Sequence, residues 1–193
     1  MQPRSDKELM LCVKHGQLQM LGELFERHHV KLFNFFLRFC GDRHWSEDMV
    51  QTTFYKILNY AYTYEDRGEF PAWMFNIARN VALDHMNNEK RAAYVDDSGL
   101  DGIEAPASNP EFLETMQQEE RRLQQALLKL PTEKRQLILL SKVSQISLTD
   151  LAAMYDCSVS AIKVRVHRAL ELLRAHCEQD LDLPDTTCRE KII

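Results

Sequence analysis

The sequence has no long apolar runs, and none approaches the roughly 20 residues that a helix needs to cross a membrane. Its N-terminus, MQPRSDKELM, lacks the charged-then-apolar order of a signal peptide. Six glycines and six prolines in 193 residues are too few for a low-complexity chain. We therefore expect a cytoplasmic protein without membrane insertion, folded into one or two domains.

Paired cysteines and catalytic motifs are also lacking. The five cysteines are odd in number and include no Cys-x-x-Cys, which argues against a disulfide framework and a standard zinc site. His176 and Cys177 with Cys188 leave open metal binding or oxidant sensing, although ordinary cytosolic thiols explain them as well. The segments LDH (83–85) and HH (28–29) offer acid–base groups, but no nucleophile elbow, phosphate loop or metal-ligand set accompanies them. We predict no catalytic residue, no metal and no cofactor.

An overall positive charge is absent too, since the net charge is −5. The acids are concentrated, however: residues 93–120 hold eight acids and no Lys or Arg, and five acids and two bases occur from Cys177 onward. The rest of the chain therefore carries a net charge of +6. Because local charge decides phosphate binding, nucleic acid is a candidate partner.

Strand-like alternation is missing, and helical spacing of apolar residues dominates. We expect Gly41 to end one helix as its C′ residue. Ser46 is predicted to be the N-cap of the next helix, because two acids follow it in the first turn. Pro71 fits the first turn of a third helix, and another helix is predicted near 132–144.

The most informative pattern begins at Ser147, which forms a capping-box arrangement with Asp150 at the start of a short helix. After a tight turn, Ser158 is predicted to cap a second helix. Residues 158–176 carry four bases and one acid. This order predicts a helix-turn-helix whose second helix enters the major groove of DNA, with an ordinary helical hairpin as the alternative. We expect its inner face to comprise Val159, Ile162, Val166, Leu170 and Leu173.

The sequence resembles the extracytoplasmic-function (ECF) sigma factors of bacterial RNA polymerase. Four stretches carry the resemblance, in this order: LFERHHVKLFNFFLRFCGD, SEDMVQTTFYKIL, FPAWMFNIARNVALDH and LTDLAAMYDCSVSAIKVRVHRALELLR. The resemblance implies an all-α fold of two small helical domains, a region 2 bundle and a region 4 helix-turn-helix, joined by a flexible acidic linker. The implied bounds are 1–92 for region 2, 93–120 for the linker, 121–177 for region 4 and 178–193 for an acidic tail.

The resemblance also implies a function. The chain is expected to bind core RNA polymerase, direct it to specific promoters through their −10 and −35 elements, and assist promoter melting. The implied partners are the polymerase, through its β′ clamp coiled coil and its β subunit, promoter DNA, and an anti-sigma factor.

The family's motifs imply three groups of site residues. Aromatic rings can stack on unpaired bases, and Arg and Asn can hydrogen-bond base edges. Val164 cannot hydrogen-bond, but it can pack on a thymine methyl group. The implied contacts are Asp48, Gln51 and Phe54 for the polymerase; Tyr64, Arg67, Phe70, Arg79 and Asn80 for the −10 element; and Ser160, Lys163, Val164, Arg165, His167 and Arg168 for the −35 element.

Two further interpretations stay open. A helix-turn-helix transcriptional regulator that acts without replacing sigma would explain residues 147–176 and would protect DNA without polymerase. It leaves the segments EDMVQTTF and FPAWMFNIARN unexplained. The second is a pure adaptor that binds polymerase without contacting DNA. Its action would be unchanged after the charges of the basic helix had been neutralised.

Overall fold

The computed structural model describes residues 3–65, 68–96 and 118–179, with the side chains of 89–96 and 179 left out. Within these ranges the chain is helical and has no strand, which confirms the all-α prediction. The chain divides into two compact units. Unit 1 comprises Met1–Asn34 and Ser46–Gly102, and unit 2 comprises Phe35–Trp45 and Ile103–Ile193.

Unit 1 contains α1 (Asp6–Lys14), most of α2 (Met20–Cys40), most of α3 (Arg43–Asn59), a 3₁₀ turn (Ala61–Thr63) and α4 (Phe70–Asp96). Pro71 therefore lies in the first turn of α4, as predicted. Helical periodicity directs one apolar stripe of each helix inward. The core includes Leu9, Met10, Leu24, Leu32, Met49, Val50, Ile57, Met74, Phe75, Ala78 and Val81.

The junction between α2 and α3 confirms one sequence prediction and corrects another. Gly41 has φ 73°, a conformation that favours glycine, and its N–H donates to the Leu37 carbonyl at 2.8 Å. Ser46, however, is fully buried inside α3. The N-cap prediction for Ser46 is wrong because Asp42 precedes the helix, and its Oδ1 accepts the Trp45 N–H at 2.9 Å.

Unit 2 contains residues 35–40 of α2, together with α5 (Gln118–Lys129), α6 (Thr132–Ile138), α7 (Leu148–Met154) and α8 (Val159–Gln179). A π-helical turn, Leu139–Val143, continues α6, so the helix predicted near 132–144 is present. The core includes Phe35, Phe36, Phe39, Leu127, Leu137, Ile138, Leu139, Leu140, Leu151, Ile162, Val166 and Leu173.

A buried arginine lies in the core of unit 2. Arg135 is 2% exposed, and its guanidinium donates to the carbonyls of Phe39 (2.7 Å), Leu128 (2.5 Å) and Leu130 (3.1 Å). It also lies over the Phe39 ring, 5.6 Å from its centroid. Burial lowers the pKa of Arg135 to about 10. The hydrogen bonds offset this desolvation by satisfying carbonyls at the ends of two helices.

The predicted acidic linker and tail fall mostly outside the described residues, at 97–117 and 180–193. Their edges are helical, because α4 extends to Asp96, α5 begins at Gln118 and α8 extends to Gln179. Among the helices that the structure describes, none combines the length and apolar character needed to cross a membrane.

Candidate nucleic-acid and polymerase interfaces

The helix-turn-helix is built from two side-chain caps. The Ser147 Oγ accepts the Asp150 N–H at 3.0 Å and donates to Asp150 Oδ2 at 2.6 Å, which begins α7 as predicted. The Ser158 Oγ accepts the Ala161 N–H at 3.1 Å and begins α8. Both caps satisfy backbone donors that would otherwise lack a partner, so the sequence itself sets the start of each helix.

The turn between these helices is tight because of one residue in the left-handed region. Asp156 has φ 46°, and the following N–H, that of Cys157, donates to the Ala152 carbonyl at 3.0 Å. Aspartate tolerates this conformation better than most residues other than glycine. The turn thereby fixes how α8 is held on α7.

The helix α8 has a buried face and an exposed face. Ile162, Val166, Ala169 and Leu173 are buried, whereas Val159, predicted to lie inside, is 38% exposed at the first turn. All six residues predicted for the −35 element are exposed: Ser160, Lys163, Val164, Arg165, His167 and Arg168. The helix therefore presents these side chains without using any of them for its own packing.

The exposed face of α8 combines donors with one apolar group. Lys163, Arg165 and Arg168 can donate to phosphate oxygens or guanine edges. His167 Nε2 lies 3.3 Å from Glu171 Oε1, one turn along the same face. Val164 offers a surface that suits a thymine methyl group. The chemistry of this face fits a DNA groove.

In unit 1, three aromatic rings form a cluster that we call the aromatic base: Tyr64, Phe70 and Trp73. The Tyr64 ring centroid lies 5.1 Å from that of Trp73 and 6.2 Å from that of Phe70. Tyr64 is 2% exposed and Phe70 is 1% exposed, whereas Trp73 is half-buried. Burial, together with the charges of Glu69 and Asp6, raises the pKa of Tyr64.

The position of this cluster changes how Tyr64 and Phe70 can act. Both rings were predicted to contact the −10 element, and both are packed inside unit 1. They flank the segment 65–69 on either side, and α4 begins at Phe70. In this arrangement both rings belong to the core of unit 1, and they could meet a base only by leaving their packed positions.

The other residues predicted for the −10 element differ in accessibility. Asn80 is exposed on α4, and Arg79 beside it is half-buried. Ala78 and Val81, which flank this pair, are buried and hold α4 against the core. Arg67 lies outside the described residues. Asn80 is therefore accessible to a base edge from a rigid helix.

No sequence pattern indicated that α1 reaches the aromatic base. Lys14 Nζ, at the C-terminal end of α1, donates to the Tyr64 carbonyl at 2.6 Å. Near the other end of α1, Asp6 Oδ2 lies 2.6 Å from His28 Nε2. The His28 ring in turn lies 5.3 Å from that of Phe70. No local sequence motif indicates contacts between residues so far apart in the chain.

The pKa values of the Asp6–His28 pair reflect burial and mutual contact. Burial lowers the pKa of His28, although the hydrogen bond and charge of Asp6 oppose this shift. Burial would raise the pKa of Asp6, but hydrogen bonds from Arg27 and His28 outweigh it and leave the pKa below its usual value. The pair is therefore held as a carboxylate beside a neutral imidazole.

The helix α3 carries the residues predicted to dock on polymerase. Asp48 and Gln51 are exposed, one turn apart. Phe54 is buried, and its ring meets that of Phe25 edge-on at 4.9 Å. Tyr55, which was not predicted, is 67% exposed and adds an apolar surface. Phe54 thus anchors α3, while its polar neighbours face outward.

Comparison with known proteins assigns both halves of the chain. The Sigma-70 region 2 model matches residues 24–92, and the Sigma-70 region 4 model matches residues 120–173. The ECF RNA polymerase sigma factor SigW of Bacillus subtilis (strain 168) is 26% identical over 87% of this chain and 94% of its own length. The ECF RNA polymerase sigma factor EcfG of Rhodopseudomonas palustris (strain TIE-1) is 33% identical over 73% of this chain and 76% of its own length.

A solved structure shares the fold. CnrH, in complex with the cytosolic domain of CnrY, is 26% identical and aligns with a TM-score of 0.69 over 92% of this chain and 100% of that chain. Together with the exposed basic helix, these matches favour a promoter-specific initiation factor over an enzyme or an independent regulator. The chain belongs to the extracytoplasmic-function family of RNA polymerase sigma factors.

Proposed function

We propose that this sigma factor reads the two promoter elements with different units. The exposed face of α8 contacts the −35 element through Ser160, Lys163, Val164, Arg165, His167 and Arg168. The segment 65–69 with α4 contacts the −10 element through Arg67, Arg79 and Asn80, and Tyr64 and Phe70 of the aromatic base border this segment in the sequence. The observation that carries the proposal is the exposure of every predicted −35 residue on one face of a capped helix.

Docking on core polymerase is assigned to α3. Asp48 and Gln51 offer a carboxylate and an amide one turn apart on the exposed side, and both can accept hydrogen bonds from a basic partner surface. Phe54 acts indirectly, since its packing on Phe25 fixes the helix that carries them. The partner surface would be the β′ clamp coiled coil, with the β subunit as a second contact.

The proposal extends to domain bounds, location and regulation. Residues 1–92 and 121–177 act as the two promoter-binding domains, and the acidic segment 93–120 follows the basic nucleic-acid path of the polymerase. The protein works in the cytoplasm with its polymerase. An anti-sigma factor is a further partner, which is supported by the complex of the similar CnrH with the cytosolic domain of CnrY.

The direct test compares the chain alone with the chain bound to core polymerase. With sigma-free core enzyme, we expect transcripts from defined promoters and a tight complex with promoter duplex at near-physiological salt. The chain alone should bind the same duplex weakly, because few phosphates can be neutralised by a helix of net charge +2. Tight, specific duplex binding without polymerase would instead support the regulator.

Matched variants assign the roles to residues. Replacing Lys163, Arg165 and Arg168 together by Ala should weaken promoters that depend on the −35 element, by about 1–3 kcal/mol for each base-specific hydrogen-bonded pair that is removed. Lys134→Ala, an exposed lysine on α6, is the control. Asp48→Arg should abolish transcription by preventing core binding, whereas Glu178→Arg, an exposed charge reversal outside both family matches, should not.

A further inference from the structure

The helix α1 lies before residue 24, where the region 2 match begins, yet it packs against the 3₁₀ turn and α4. It is a well-formed helix, because Ser5 and Glu8 make a reciprocal capping box at its start. Leu9, Met10 and Val13 anchor it in the core of unit 1. Both ends of α1 are therefore held in place, and their side chains can position the neighbouring segments.

The C-terminal end of α1 holds the start of the segment 65–69. Lys14 Nζ donates to the Tyr64 carbonyl at 2.6 Å, where the chain has just left the 3₁₀ turn. The side chain spans from one element to a residue fifty positions later, and it ends on a backbone atom. Because the acceptor is a backbone carbonyl, this hydrogen bond fixes the path of the main chain at residue 64. It does not depend on the Tyr64 side chain.

The N-terminal end of α1 holds the other side of the segment. Asp6 accepts the Nε2 proton of His28 at 2.6 Å and a hydrogen bond from Arg27 Nη1 at 2.8 Å. His28 is buried, and its ring meets that of Phe70, the first residue of α4. Asp6 therefore orients His28, and His28 supports the point at which α4 begins.

We propose that α1 is a positioning element for promoter melting: Lys14 and the Asp6–His28 pair fix the aromatic base on both sides of the segment 65–69. This inference rests on the proposed function of that segment. Capturing an unpaired base costs unstacking energy and the entropy of ordering the capturing chain. Because α1 fixes Tyr64 and Phe70 on folding, these two residues need no further ordering when a base is bound.

Lys14→Met tests this role, because it keeps the length of the side chain and removes the donor. On duplex promoter DNA with core polymerase, permanganate reactivity of melted thymines should fall about five-fold, the factor for losing about one net hydrogen bond. Lys14→Arg should restore it, and Lys7→Met, at an exposed lysine on the same helix, should behave as the wild type. Transcription from a pre-melted template should be unchanged in all three variants.

A spectroscopic measurement separates positioning from mere stability. In a Trp45→Phe background, Trp73 is the only tryptophan and reports directly on the aromatic base. Its emission at a temperature well below the unfolding transition should shift in Lys14→Met and return in Lys14→Arg. Asp6→Asn should shift it as well, since the carboxylate that orients His28 is then lost.

The outcomes distinguish this inference from the function on which it rests. Equal loss on duplex and pre-melted DNA, no rescue by Lys14→Arg, or unchanged Trp73 emission would overturn the positioning role. The positioning role would also be overturned if Lys14→Met melted promoters normally while a Gly/Ser replacement of residues 65–69 did not. In that case the proposed function would still stand. If the replaced chain also melted promoters normally, both proposals would fail.

Discussion

The two units hold their predicted DNA-contacting side chains in opposite ways. In unit 2, all six lie exposed on α8, and none of them is buried in the core. In unit 1, Tyr64 and Phe70 are buried, Arg79 is half-buried, and only Asn80 among the described four is exposed. The predicted contact residues are thus separate from the core in unit 2, whereas in unit 1 two of them belong to the core.

This difference follows from the kind of DNA that each unit is proposed to meet. A duplex groove accepts a rigid helix whose side chains point outward. An unpaired base must be received between surfaces, and those surfaces need support from beneath. In the proposed function, the ring cluster in the core of unit 1 gives that support. The same substitution is therefore expected to act on stability in unit 1 and on DNA binding in unit 2.

The largest predicted effect is that of Phe70→Ala. Removing this buried ring should lower the free energy of unfolding of unit 1 by about 3–5 kcal/mol, because a cavity remains in the aromatic base. Val164→Ala, on the exposed face of α8, should change stability by less than about 0.5 kcal/mol. Urea unfolding followed by circular dichroism measures both. If the two substitutions lowered the free energy of unfolding by similar amounts, the contrast between the two units would be wrong.

A smaller effect is expected for Arg135→Met in unit 2. The substitution preserves much of the buried volume, but it removes the donor to the carbonyls of Phe39, Leu128 and Leu130. We expect a loss of about 1–3 kcal/mol in the free energy of unfolding, the range for buried polar groups left without a partner.

The matched control is Arg168→Met, at an exposed arginine in the same unit. It should leave the unfolding transition where it is and weaken promoter binding instead. If Arg135→Met were as stable as the wild type, the buried guanidinium and its hydrogen bonds would contribute nothing net to the stability of unit 2.

The features that sequence predicted correctly are local. The caps at Ser147 and Ser158 and the C′ position of Gly41 each depend on side chains or backbone conformations within a few residues. The exposure of the six residues predicted for the −35 element follows from helical periodicity once the start of α8 is fixed. Local signals thus sufficed for the helix-turn-helix.

Where sequence reasoning failed, residues distant in the chain or competing neighbours decided the outcome. Ser46 lost the N-cap position to Asp42, a residue of equal capping ability that comes one turn earlier. Tyr64 and Phe70 have the composition of a base-stacking surface, and only the tertiary fold shows that their rings are buried. The burial of Arg135 and the reach of Lys14 have no local signature at all.

The smallest predicted effect concerns pH and the Asp6–His28 pair of unit 1. His28 Nε2 contacts Asp6, and Nδ1 is buried without a hydrogen bond within the described residues. A proton added at Nδ1 would therefore have no acceptor. Burial, reinforced by the charges of Lys31 and Arg27, keeps the pKa of His28 below its ordinary value of 6.5, although Asp6 opposes the shift.

The sign of the pH dependence follows from these directions. Because the folded pKa of His28 is lowered, the unfolded chain takes up a proton first as the pH falls below 6.5, and the free energy of unfolding then decreases. Asp6 acts in the same direction below its ordinary pKa of 3.8, since its folded pKa is also lowered. For one proton the slope cannot exceed about 1.4 kcal/mol per pH unit.

Unfolding of the wild type at pH 7 and pH 5.5, compared with His28→Gln, measures this contribution. The variant should be less stable at pH 7, but it should lose less stability on acidification, because it has no buried imidazole to protonate. Asn34→Gln, at an exposed residue of α2 without a titrating group, is the control and should keep the wild-type dependence. If His28→Gln retained the full pH dependence, the titrating group would lie elsewhere, and His28 would support Phe70 through packing alone.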